Sequence, residues 1–141
     1  MRRCIGKGIT VTLVLAASVV AMSGCVGDDV AGCKQLLEDT ALSVQGVDSA
    51  DFTCRRDFGD SGQRGTITLA VDAQQEATPV IEDVYREFAS EADIGNAWTV
   101  YINFSSPDGE NEFDDDALGF NGDPNMRDIR DRYDIHPPGT G

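Results

Sequence analysis

The sequence predicts a small α+β domain, a two-layer sandwich in the order α-β-β-α-β followed by an acidic C-terminal extension. Three observations point there. Apolar residues recur every three or four positions in two stretches and every second position in three others, the periods of a helix face and of a half-buried strand. Removal of a 24-residue leader leaves 141 − 24 = 117 residues, a length that suits one core. Two helices and a small sheet with mixed strand directions pack most simply as helices on one face only.

The first element is a helix in which Val30, Cys33, Leu37, Ala41 and Val44 share a face, stopped by Gly46. From Val47 to Arg56, Ala50, Phe52 and Cys54 alternate with Asp51, Thr53 and Arg55, a strand with one apolar face. Asp57 to Gly65 (DFGDSGQRG) reads as a turn-rich link, after which Ile67, Leu69 and Val71 mark a second strand and complete a hairpin. Thr78-Pro79 supplies an N-cap and an N1 proline for a helix with Ile81, Val84, Tyr85, Phe88 and Ala92 on one side, ended by Gly95. Trp98, Val100, Ile102 and Phe104 alternate with Thr99, Tyr101 and Asn103 in the most β-prone segment of the chain. In this register Trp98 belongs to the core, whereas Tyr101, Thr99, Thr66 and Thr68 lie on the open side, either as an ordinary solvated face or as a docking platform. Residues 30–104 therefore form the predicted domain.

Residues 105–141 are read as an acidic loop, a short helix and a flexible tail. Asp108, Glu110, Glu112, Asp114, Asp115 and Asp116 occur without a base between Ser105 and Asp116. Asp123-Pro124 opens a short helix with Met126, Ile129 and Tyr133 on one side and Asp128 four residues before Arg132, and His136 to Gly141 (HPPGTG) is the tail.

The front of the chain carries an address. Met1 to Lys7 is basic, Ile9 to Met22 is uncharged and apolar, and small residues precede Cys25, the layout of a secretory signal peptide over residues 1–24. The apolar run is shorter than the ~20 residues of a spanning helix, although a retained anchor remains the alternative. Met22-Ser23-Gly24-Cys25 resembles the lipobox of bacterial lipoproteins. That resemblance implies cleavage before Cys25, acylation of its thiol and a mature protein held on the extracytoplasmic side of the cell membrane, with residues 25–29 as the tether. An ordinary signal peptide with an unmodified Cys25 is the competing reading. Arg2-Arg3 also looks like a twin-arginine export signal, which leaves the export route open.

With Cys4 removed and Cys25 acylated, Cys33 and Cys54 remain. Both fall on apolar faces, one helical and one extended, so the two periodicities direct both thiols inward, as a helix-to-strand disulfide requires. Closing this 21-residue separation contributes about 3 kcal/mol in the loop-entropy account. The alternatives, a metal site or redox chemistry, lack nearby ligands or a base.

The composition and motifs narrow the chemistry. Eleven Lys+Arg against 25 Asp+Glu give −14, and 8 − 25 = −17 once Arg2, Arg3 and Lys7 leave. Such a balance argues against nucleic acid or an anionic lipid surface as a charge-driven partner and favours a cationic protein or envelope component. The alternating carboxylates Asp108, Glu110, Glu112, Asp114 and Asp116 are candidate divalent-cation ligands. The EF-hand template fails, however, because its sixth and twelfth positions fall on Phe113 and Gly119. Gly59-Asp60-Ser61-Gly62 lacks the spacing of a nucleophile elbow, and His136 sits in the tail. No cofactor beyond the lipid on Cys25 and no catalytic constellation is indicated. Finally, the α-β-β-α-β order, with Gly46-Val47 before the first strand, resembles the BON domain of bacterial envelope proteins over about residues 30 to 104. This resemblance implies an envelope or phospholipid-contact module. The expectation is thus a non-enzymatic, lipid-anchored envelope protein acting as a binding module.

Overall fold

The computed structural model describes residues 30–55, 62–120 and 122–139. The expected leader, the lipobox-like Met22 to Cys25 and the expected tether, as well as the Gly59-Asp60-Ser61 stretch, lie outside the described residues. Helix α1 (Val30–Leu42) leads into strand β1 (Val47–Thr53), then β2 (Gly62–Leu69), helix α2 (Gln74–Ser90), β3 (Thr99–Ser105), a two-residue β4 (Glu112–Phe113), a 3-10 turn at Asp116–Leu118 and helix α3 (Met126–Tyr133). The sheet order is β1-β2-β3-β4. Its outer pairs are antiparallel and the central β2–β3 pair is parallel, from Gly62 opposite Thr99 to Thr68 opposite Ser105. The chain is a small α+β fold, as its periodicities require.

One face of the sheet carries the core. Phe52, Ile67, Leu69, Val100 and Phe104 are buried, together with Leu37 and Ala41 from α1 and Ala77, Ile81, Val84, Tyr85, Phe88 and Ala89 from α2. Cys33 and Cys54 form a disulfide with Cα atoms 6.2 Å apart, which ties the first turn of α1 to the end of β1. A second clasp sits beside it. Lys34 pairs with Glu38 at 2.7 Å; Glu38 accepts the Phe52 N–H at 3.1 Å while Lys34 donates to the Phe52 carbonyl at 3.2 Å. The two side chains thereby occupy backbone groups that an edge strand would otherwise offer to another chain.

Several boundaries differ from expectation, each for a local reason. The glycine-rich stretch before Ile67 is not all turn, because β2 begins at Gly62. Gly65 must be glycine within that strand: the Phe52 ring lies across it, and a Cβ there would stand 2.3 Å from a ring carbon. Helix α2 starts at Gln74 rather than at Thr78-Pro79, leaving Pro79 inside it. The Thr78 hydroxyl bonds back to the Gln74 carbonyl at 2.9 Å. The carbonyl that Pro79 cannot serve belongs to Gln75, a solvent-exposed residue of the first turn rather than one of the core. The helix ends at Ser90 instead of running to Gly95. Ala92 is exposed outside it, and Ile94 enters the core in its place. Trp98 precedes β3 and packs half-buried against the core.

The acidic segment is not simply a loop. Its chain turns at Ser106–Asn111 and returns as β4, with Phe113 opposite Phe104 and Glu112 opposite Ser105. Asp108 builds that turn, accepting from the Ser106 hydroxyl at 2.6 Å and from the Glu110 N–H at 3.0 Å, contacts that hold its carboxyl below the ordinary range. Gln74 then clasps the returning chain through both ends of its amide, bonding to the Asp114 carbonyl and N–H at 3.0 and 3.2 Å. The extension contributes Phe113, Leu118, Met126 and Ile129 to the same core as the rest of the domain.

Helix α3 is capped by Asn125, not by Asp123-Pro124. Asn125 and Asp128 form a reciprocal capping box. Arg130, 3% exposed, anchors this helix to the end of α2. Its guanidinium donates to the carbonyls of Ala89 at 2.9 Å and Glu91 at 2.6 Å and to Asn96 Oδ1 at 2.7 Å. Carbonyls at a helix C-terminus lack intrahelical donors and carry the negative end of the helix dipole, so the buried cation meets partial charges there instead of a carboxylate. Replacement by Met preserves the stem's packing and removes these donors. Arg130→Met is expected to cost about 3 kcal/mol in a denaturant unfolding curve, with Arg130→Lys recovering only part of it.

Candidate functional site

Because the described helices pack on one side, the other side of the sheet is open. Strand register places its side chains in rows. Thr53, Arg64 and Tyr101 form one row, Asp51, Thr66 and Asn103 the next, and Ser49, Thr68, Ser105 and Glu112 the third. Asp51, Thr53, Arg64, Gly65, Thr66, Tyr101 and Asn103 line a shallow depression on this face. The Arg64 guanidinium lies 4.8 Å from the centre of the Tyr101 ring. Asp51 meets Lys34 at 3.0 Å at the β1 margin, and Lys34 is held protonated beyond the ordinary lysine range, chiefly by its hydrogen bond to Glu38 and then by that to Asp51. The depression thus combines an aromatic face, a carboxamide, hydroxyls and one charge of each sign, a surface equipped for non-covalent recognition of a polar ligand.

Sequence alternation put Tyr101, Thr99, Thr66 and Thr68 on this face, and the register agrees. It missed Arg64, which fell within the stretch read as turn. The signal was present, since Arg64 keeps the parity of Thr66 and Thr68. Arg130 also had a signal: positions 126, 129, 130 and 133 complete a helical stripe that an arginine interrupts.

The candidate cation ligands do not converge. Asp108 is engaged within its own turn, Glu112 faces the open sheet side, Asp114 follows β4 and Asp116 opens the 3-10 turn. Among the described residues no group of three His, Cys, Asp or Glu side chains is placed to hold a metal ion. His136 contacts Asp134 at 3.0 Å in an exposed pair near the chain end. Among the described residues no helix is long and apolar enough to cross a membrane.

Asp115 has a separate role. It accepts a hydrogen bond from Tyr85, whose ring packs edge-on against Phe104 at 6.3 Å and Phe120 at 5.7 Å. Burial, then the bond to Asp115, pushes the Tyr85 phenol far above its ordinary 10.0. Phe120 also meets Tyr133, and Arg86 stacks 4.0 Å from the centre of the Tyr133 ring, so this cluster fastens the extension to α2.

No family model matches the chain, and no curated protein or solved structure shows significant similarity to it.

Two measurements follow from this geometry. Gly65→Ala is expected to lose about 1–3 kcal/mol of stability, because the added methyl collides with Phe52 beneath the open face; thermal unfolding reads the loss. The Tyr85 phenol is harder to ionise folded than unfolded, so its contribution is complete below the unfolded value of 10.0 and drains away as pH rises above it. Phenolate absorbance should therefore show a late-ionising tyrosine whose titration coincides with alkaline unfolding.

Proposed function

We propose that this protein is a non-enzymatic binding module of the cell envelope, anchored through lipid on Cys25 on the extracytoplasmic side, that docks a cationic, polar partner on its open sheet face. One observation carries the reading. The uncovered face runs into the β3–β4 strand end, where Asp108, Glu110 and Glu112 stand exposed with no cationic side chain at ion-pair distance among the described residues. Carboxylates left unneutralised beside the hydroxyls of Thr68 and Ser105 favour a ligand bearing lysine- or arginine-like groups. A face built on paired strands also presents these groups rigidly, which lowers the ordering cost of binding. The lipobox supports the address, and the acid balance of the mature chain supports the partner's charge.

A lysine-containing oligopeptide serves as the probe. Its titration into the labelled domain is expected to shift the amides of Thr66, Thr68, Asn103, Ser105 and Glu112, with affinity falling as salt rises. Glu112→Gln should weaken binding about threefold, in keeping with one exposed charge contact. Shifts spread instead along Glu76, Asp83 and Glu87 of α2, or binding indifferent to salt, would overturn the reading.

A further inference from the structure

The sheet has two poles. Thr53, Gly62 and Thr99 lie at one end and Val47, Leu69 and Ser105 at the other. Cys33 is bonded to Cys54, immediately beyond β1, so the first turn of α1 stands at the first pole. Met126 N–H bonds to the Trp98 carbonyl and Arg127 N–H to that of Asn96, which brings the start of α3 to the same end. The turn at Ser106–Asn111 stands at the opposite end, beyond Ser105.

Charge follows this axis. Lys34, Arg55, Arg64 and Arg127 belong to the first pole, where they stand among Asp51, Glu91, Asp93 and Asp128, so that end is of mixed charge. The far pole carries Asp48, Asp72, Glu76, Asp108, Glu110 and Glu112, and the segments that reach it, 65–85 and 99–116, contain no lysine or arginine, so that end, among the described residues, is acidic without a neutralising base.

Resting on the proposed acylation of Cys25, we infer that the first pole is the surface facing the bilayer and that the acidic pole points away from it. From Cys25 to Val30 the chain has five steps, a reach of at most about 17 Å. An inverted domain would raise the start of α1 by the length of β3, roughly 20 Å for seven residues, before the turn beyond Ser105 and the first turn of α1 are added. The tether is too short for that. Between upright and sideways poses, repulsion from anionic headgroups selects the one that keeps the carboxylates farthest away. The acyl chains supply the attachment, and the charge asymmetry supplies the orientation.

Trp98, the sole tryptophan of the chain, reports on the first pole. The test uses the full-length expressed protein, its intact mass measured first, placed in phospholipid nanodiscs containing nitroxide-headgroup lipid. Trp98 emission should be quenched, and amides at Lys34, Arg64 and Arg127 should broaden while those at Asp108 to Asn111 keep their intensity. An acylated mass with broadening at Asp108 to Asn111, or spread evenly over the domain, overturns the orientation and leaves the anchor standing. A mass without acyl chains removes the anchor, and the orientation with it.

Discussion

Parallel pairing of β2 with β3 is the constraint from which the architecture follows. Two parallel neighbours cannot be joined by a tight turn, so the chain from Ala70 to Trp98 must cross from one end of the sheet to the other, and α2 makes that crossing. The apolar side of α2 then determines which sheet face is buried. Helix α1 reaches the same face through the antiparallel β1–β2 pair and packs against α2. The opposite face is left to polar side chains, including the Thr66, Thr68 and Asn103 positions proposed to meet a partner. A hairpin alone would impose no such division.

The C-terminal extension is bound in by two quite different devices. Arg130 spends a buried cation on the ends of α2's carbonyl ladder, a choice that needs no acid inside the core. The Tyr85–Asp115 bond and the Phe120–Tyr133 edge contact fasten the preceding segment with aromatic area and one oriented hydroxyl. Together they make residues 112–133 part of the structural unit begun at Val30.

The parts of this fold visible in the sequence are those set by short periods. Cys33 and Cys54 could be paired because a helical and an extended period each aimed a thiol at one interior. Tyr101 could be placed outside by its parity with Asn103. Features that depend on distant contacts were hidden. Gly65 looks like turn punctuation until Phe52 is known to lie across it. Thr78-Pro79 looks like a helix start until Gln74 is seen clasping Asp114 forty residues away. Two residues of β4 are too few to show a period at all, and Asp115 is indistinguishable from its acidic neighbours without Tyr85 opposite it.

The Lys34–Glu38 clasp over Phe52 matters most for a protein confined to a surface. Acyl anchoring would gather copies of this chain into a thin layer, where they meet far more often than at the same amount in bulk solution. An unguarded strand margin under that crowding would template growth of one sheet from molecule to molecule. By filling a donor and an acceptor of β1 from its own helix, each copy interrupts that seam at Phe52, so a neighbouring strand would meet a blocked position there.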